Sequence, residues 1–469
     1  METTTMTPET CRRMFVLLAS AAVCLSAACG CARNTADRRA DHATRYVDEL
    51  SARTAAVLST SSELTLDDCV RIALDNNLAL KSKEINSRLA ALERQAAFSA
   101  FLPTIELEAD YVDSDHQQAV WTGSGYLPMS DKAVTRLAVT AAQPVFLPRA
   151  WLFYSMRKNS EDIARLVEER AREIVTLRVT SAYFACLSFD RATPALETAA
   201  AQARSLAGEL RALEREGLVM RSDLARAEAL LAAREAELAS NRRAAVGARA
   251  ALLNEMGLAP LAPVTLGEPA PLARDARELP DQILAAMRNR PELYAADRAV
   301  EASDTAVRAA IADFLPSLLL VGSYTSSTDG YLRYSDLWSG GVRGVLTVFD
   351  GFSNVARYRA ARAGREEAYL RREEACVSVM LEVLYARLQS ENASESARVA
   401  EARLAAAESA LAEAEALARE DMVAQSARLD SLAERDAAQA QAAVARYREQ
   451  VARATLADVI GKPREEKRR

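Results

Sequence analysis

Two periods of hydrophobic and polar residues share this chain. Over Thr104 to Tyr111 the pattern alternates residue by residue, with Ile105, Leu107, Ala109 and Tyr111 on one face and Thr104, Glu106, Glu108 and Asp110 on the other. That is the period of a strand whose two faces meet different surroundings. Further strands are expected at 136–146, 317–324 and 342–349, each near the about 9–11 residues that a tilted membrane strand needs. Elsewhere the period is helical. Short amphipathic helices are predicted over Leu66 to Asp75 and Asp281 to Arg288. Each leads into a second helix that stops at Phe-Leu-Pro, because a residue before proline is pushed out of helical geometry. Neither Gly nor Pro occurs from Arg365 to Ile460. A helix from Gly351 to Arg419 would run on the order of 100 Å at about 1.5 Å per residue. Its counterpart, Arg149 to Arg215, contains Pro194 and Gly208, which predict a kink or a loosened turn. Leu404, Ala407, Leu411, Ala414 and Ala418 fall at alternating spacings of three and four, a coiled-coil seam whose alanines allow close approach.

The same order of elements occurs twice. Phe101-Leu102-Pro103-Thr104 returns as Phe314-Leu315-Pro316-Ser317, and Asn76-Asn77-Leu78-Ala79-Leu80 returns as Asn289-Arg290-Pro291-Glu292-Leu293 at the same offset of 213. Pro144-Val145-Phe146 matches Thr347-Val348-Phe349 at the shorter offset of 203, so the first copy holds about ten extra residues between Tyr111 and Phe146. Self-similarity on this scale marks a duplicated structural unit. The expected organisation is a signal peptide over 1–28, a lipidated linker over 29–63 and a first repeat over 64–258. A Pro-containing linker over 259–279, a second repeat over 280–462 and a tail over 463–469 follow. Each repeat ends at a glycine, Gly257 or Gly461, suited to a left-handed helix cap.

A strand bearing carboxylates on one face and apolar side chains on the other suits a barrel with lipid outside and water inside. A half-buried soluble sheet would show the same alternation. Four strands cannot close a barrel, and lipid does not tolerate an open sheet edge. If these strands span a membrane, several chains share one barrel. The loops Val112 to Ala133 and Thr325 to Ser339, at the strand ends away from the helices, would then be external.

Composition narrows the function. Hydrophobic residues make up 50% of the chain and aromatics only 6%, with a net charge of -6. Long helices with small interfacial residues fit that mixture, and the absence of a basic footprint argues against nucleic acid. His42 and His116 are the two histidines, which leaves little material for a His-based metal or general-base site. Neither a phosphate-binding Gly loop nor a nucleophile elbow is present. We therefore expect no enzyme, no cofactor and no metal. Arg12-Arg13 and the apolar run Met14 to Ala28 read as a secretory signal. Leu25-Ser26-Ala27-Ala28-Cys29-Gly30 resembles a bacterial lipobox, with Cys29 as the lipidated residue, Cys31 as a rival and an ordinary cleaved signal as the alternative. Multiple acyl chains on Cys29 would hold the mature protein at a membrane.

The order Leu64-Thr65-Leu66-Asp67-Asp68, Ala73-Leu74-Asp75-Asn76-Asn77, Phe-Leu-Pro and a strand, with Val348-Phe349-Asp350-Gly351 in the second copy, resembles the TolC/OprM outer-membrane efflux proteins. The resemblance runs from about Leu64 to Pro463. It implies a mainly α chain with a small membrane β-barrel, in which a homotrimer shares one twelve-stranded barrel. A long α-helical barrel of coiled-coil hairpins would continue it into the periplasm and meet a periplasmic adaptor and an inner-membrane pump. Glu106, Glu108 and Asp110 would face the barrel lumen. The adaptor-docking tips would be Gly217, Leu218, Val219, Ser222 and Asp223, with Ser-Asp capping the returning helix, and Asp421, Met422, Val423 and Ser426. The second tip departs from the family by having Asp421 where Gly is usual. Asp430 falls where a carboxylate can ring the closed aperture, while Ala427 occupies another position that is often acidic. A type I protein-secretion duct fits the same pattern. A lipid-tethered periplasmic coiled-coil scaffold would leave the duplicated strands unexplained.

Overall fold

The computed structural model describes residues 35–59, 63–419 and 425–463; Cys29 and the expected signal peptide lie outside them. Helix α1 (Thr35–Leu58) precedes two units of matching order. The first contains α2 (Leu66–Asn76), α3 (Leu78–Phe98), β1 (Thr104–Asp113), β2 (Ala119–Trp121), β3 (Tyr126–Pro128), β4 (Ala133–Phe146), α4 (Pro148–Arg215) and α5 (Arg221–Glu255). The second contains α6 (Leu279–Asn289), α7 (Pro291–Ala312), β5 (Ser317–Ser327), β6 (Asp336–Val345), α8 (Ser353–Arg419) and α9 (Gln425–Ile460). Helices α4 and α8 have 68 and 67 residues, so each extends on the order of 100 Å. Helix α4 passes through Pro194 and Gly208 without a break. In the turn before the proline, Asn241 of α5 donates to the Phe189 carbonyl at 3.1 Å and to Thr193 Oγ1 at 2.9 Å.

Both units close in the same way. Thr65 and Asp68 form a reciprocal capping box that starts α2, so two N–H groups of the first turn are satisfied without water. Asn77 ends α2 and begins α3, its side chain accepting from Leu80 N–H at 3.0 Å and donating to the Glu255 carbonyl at 2.8 Å. Gly257 follows α5 at φ +67° and Gly461 follows α9 at φ +79°, and they rest against Asn76 and Asn289, the last residues of α2 and α6.

The core of the first unit packs Cys69, Ile72 and Ala73 of α2 against Val175, Val179 and Tyr183 of α4 and Leu252 and Leu253 of α5. In the second unit Ala286, Val379, Val383, Leu456 and Ile460 occupy the corresponding place. Each fully buried large side chain stabilises by about 1.5–3 kcal/mol. The linker after Gly257 is bound into this region. Leu64 and Leu266 form a parallel bridge, and the buried Tyr183 hydroxyl donates to the carbonyls of Leu64 at 3.0 Å and Gly267 at 2.6 Å. Across the two units, the Arg170 guanidinium of α4 reaches Glu292 of α7 at 2.6 Å and Asp458 of α9 at 3.1 Å.

The four long strands form one antiparallel sheet in the order β1-β4-β5-β6. Strand β6 differs from expectation. It covers Asp336–Val345, where the sequence predicts 342–349. The register accounts for its earlier end, because Val345 pairs with Ser317 and the next partner would be Pro316, which has no N–H to offer a ladder; its earlier start comes from pairing of Asp336 to Gly341 with Val321 to Ser326 of β5. The loop expected over Val112 to Ala133 also carries more order than a polar loop. Strands β2 and β3 form a separate hairpin there, pairing Ala119 with Pro128, Val120 with Leu127 and Trp121 with Tyr126. Among the described residues no helix is long and apolar enough to cross a membrane.

Candidate membrane sheet, helix tip and aperture groove

The register assigns every sheet residue to a face. Glu106, Glu108 and Asp110 stand opposite Thr140, Ala138 and Arg136 of β4. The same face continues through Ser323, Thr325 and Ser327 of β5 and Ser339 of β6. Polar residues predominate on it, with Ser323 and Ser339 hydroxyls 2.7 Å apart, while Ala138 and Leu337 are its apolar members there. Arg136, opposite Asp110, is the member that the alternation did not single out. Ile105, Leu107, Ala109, Leu137, Val139, Leu320, Tyr324, Trp338 and Val342 make the other face. Ile105, Leu107, Trp338 and Val342 are 70% or more exposed. A soluble sheet would bury that face; here both faces of β1 are bare along all ten residues.

Aromatic residues gather at the two ends of the sheet. Tyr324 and Trp338 lie 5.0 Å apart near the β5–β6 loop. At the helical end Phe101 lies 4.3 Å from Trp151, and Phe349 lies 5.5 Å from Phe352. Bands of aromatics flanking an apolar belt are what a membrane wall requires. Among the described residues, both outer strands, β1 and β6, have one edge without a partner.

At the first helix tip, Gly217 stands at φ +75°, its N–H donating to the Glu214 carbonyl while Leu218 N–H donates to the Leu213 carbonyl, both at 2.9 Å. This Schellman arrangement ends α4 and turns the chain toward α5. Leu218 and Met220 project into solvent at 68% and 73% exposure, and Val219 between them is half-buried. Ser222 and Asp223 do not cap the returning helix. The cap position is Met220, which makes no side-chain hydrogen bond, and its carbonyl accepts from Asp223 N–H at 3.0 Å. The Gly turn spans fewer residues than the sequence reading allowed, so the helix starts one residue before Ser222. Of the second tip, Asp421, Met422 and Val423 lie outside the described residues, and Ser426 falls in the first turn of α9.

Asp430 is exposed on α9. With Glu434 it lines a groove of about 320 Å³ whose opposite side is formed by Gln202 and Leu206 of α4 and Leu230 and Arg234 of α5. The sequence reading isolated Asp430 but not its neighbours: Glu434 is one turn away on the same helix, whereas Gln202, Leu206, Leu230 and Arg234 reach it only through packing between hairpins. Six residues further along α9 from Asp430, Asp436 is 3% exposed, and its Oδ2 has no hydrogen-bond partner among the described residues. Burial pushes its carboxyl up, with Arg435 beside it pulling the other way. Among the described residues no cluster of His, Cys, Asp and Glu could hold a metal ion.

Residues 282–462 match the family described as outer membrane efflux protein. No curated protein matches the chain. Among solved structures, a membrane protein from Pseudomonas aeruginosa is similar at TM-score 0.72 and 19% identity, over 84% of this chain and 90% of that one. The outer membrane protein VceC from Vibrio cholerae is similar at TM-score 0.70 and 17% identity, over 84% of this chain and 96% of that one. The open state of the Neisseria gonorrhoeae MtrE outer membrane channel is similar at TM-score 0.66 and 20% identity, over 84% and 88%.

Proposed function

We infer that this chain is an outer-membrane efflux protein: residues 282–462 match that family, and over 84% of its length the fold is similar to the outer membrane protein VceC and the MtrE outer membrane channel. From that premise we propose that it is the exit duct of a tripartite efflux system, passing substrates from an inner-membrane pump and a periplasmic adaptor across the outer membrane. The observation that carries this reading is the sheet with two open edges and two exposed faces of opposite character. Three copies joined edge to edge, β1 of one to β6 of the next, would satisfy every strand and place Glu106, Glu108 and Asp110 in the water-filled lumen. The apolar face with Leu107 and Trp338 would meet lipid.

The helices then extend into the periplasm. The tip formed by Gly217, Leu218, Val219 and Met220 offers an exposed apolar knob on a fixed turn, which suits docking of the adaptor. Three copies of Asp430 near the narrow end would form a carboxylate ring that attracts cations and repels anions. Lipidation at Cys29 would add an anchor beside the barrel. The chain's part in transport is physical: it supplies a wall, a charge pattern and a constriction, while the choice of cargo rests with the pump.

Reconstitution of the purified protein tests the reading. A heat-modifiable trimer that gives discrete conductance steps in planar bilayers is the expected result. A soluble monomer without conductance overturns it.

A further inference from the structure

We propose that the β2–β3 hairpin is a membrane-interface anchor, lying in lipid beside the outer end of the barrel wall and not over the pore. This inference rests on the reading of the sheet as a membrane wall. From Gln117 to Ser130 the chain carries no charged residue and no His. Within it Val120, Trp121, Tyr126, Leu127 and Met129 are all at least half exposed. The register sets Trp121 beside Tyr126, their rings 5.1 Å apart, on one face of the ribbon, and Val120 beside Leu127 on the other. Apolar side chains are therefore bare on both faces.

That two-sidedness selects the occupant. A protein surface docking on the ribbon would cover one face and leave the other in water, whereas the boundary of a bilayer surrounds both. Two strands of three residues each are marginal in water, so the surrounding medium has to support them. Trp and Tyr combine an apolar body with a polar edge and favour the level between acyl chains and headgroups. The unpaired backbone groups along both ribbon edges keep it at that level, since hydrocarbon would leave them unsatisfied.

The root of the hairpin is held firmly. Asp131 N–H donates to Asp329 Oδ1 at 3.0 Å, Gly330 N–H donates to Asp131 Oδ2 at 2.6 Å, and Thr135 N–H donates to Thr328 Oγ1 at 2.9 Å. These bonds clamp the segment entering β4 to the β5–β6 loop. The ribbon thus leaves the sheet between β1 and β4, from a base fixed to the β5–β6 loop.

The chain has three tryptophans, Trp121, Trp151 and Trp338, which permits a direct test on the assembled full-length protein. Two single-Trp proteins are compared, one keeping Trp121 (Trp151→Phe, Trp338→Phe) and one keeping Trp338 (Trp121→Phe, Trp151→Phe). Each is placed in phosphatidylcholine vesicles with and without phosphatidylcholine brominated near the glycerol end of its acyl chains. Blue-shifted emission from Trp121 that is mostly lost in brominated vesicles is the expected result. Quenching of Trp338 alone, with Trp121 open to aqueous iodide, overturns the anchor and leaves the membrane wall standing. Absence of lipid quenching at both positions overturns the wall itself. A spin label on Leu127→Cys in a Cys31→Ser, Cys376→Ser background gives a second readout that keeps all three tryptophans. Greater accessibility to oxygen than to an aqueous nickel complex supports the anchor, and the reverse order overturns it.

Discussion

The carbonyl oxygen of Asn76 lies 2.5 Å from the point where a Cβ on Gly257 would stand, and Gly257 holds φ at +67°. In the second repeat Gly461 meets Asn289, but the nearest atom there is a side-chain Cβ at 3.0 Å. Any side chain at either glycine costs about 1–3 kcal/mol for the left-handed backbone, and only at Gly257 does it also strike backbone. Gly257→Ala should therefore lower the trimer's thermal midpoint more than Gly461→Ala. Equal midpoints would show that the two closures are not distinguished by this contact.

Leu107→Arg places a charge on the proposed lipid face and costs about 2–4 kcal/mol near the bilayer midplane. The heat-modifiable trimer should be lost from outer-membrane extracts. Glu106→Gln with Glu108→Gln, on the opposite face, should leave the trimer intact and reduce cation preference, read as a smaller reversal potential in a salt gradient. An unchanged reversal potential would remove these carboxylates from the lumen.

At the narrow end, Asp430→Ala should raise the leak conductance or abolish block by divalent cations in bilayer recordings. Arg234→Ala, across the groove from Asp430, should leave block in place if the carboxylate acts through its ring. Unaltered block in Asp430→Ala would end the aperture assignment.

Leu218→Asp with Met220→Asp alters two exposed side chains at the tip without touching the Gly217 turn. Drug susceptibility of a strain relying on this duct should rise to that of a strain lacking it, while trimer yield stays level. Retained resistance would place docking elsewhere.

Asp436 gives a pH-dependent prediction. Its carboxyl is pushed above the ordinary value of 3.8 by burial. A carboxyl raised on folding contributes stability that is fully present below its unfolded value and is lost as pH rises through its folded one. Asp436→Asn removes a buried charge with an unpartnered oxygen, so the thermal midpoint at neutral pH should rise by the equivalent of about 1 kcal/mol. The gain should shrink on acidification. A gain that is constant with pH would assign the effect to packing.

Much of this architecture is legible in the chain because it is written twice. The strand at Thr104 was readable from strict alternation, and the long helices from the run without Gly or Pro. The β2–β3 hairpin was not, because three-residue strands are too short to display a period. The end of β6 was hidden for a different reason. Val348-Phe349 matches Val145-Phe146 in sequence, but the ladder stops where Pro316 cannot donate, a constraint set by the partner strand. Ser222 and Asp223 have the composition of a helix cap; the Gly217 turn decides the start of α5 before they are reached. Asp430 came from family resemblance, whereas Gln202 and Arg234 join it only through packing between helix hairpins distant in sequence.

The two unpaired edges of the sheet have a genetic consequence. If the last strand-to-strand bonds of each chain are made with another chain, then folding is completed only by company. A subunit with a damaged β1 edge but a sound β6 edge would still enter a ring and leave it unsealed. Such an allele should be dominant over the wild type when both are expressed, whereas one that damages both edges should be recessive, because its product never joins.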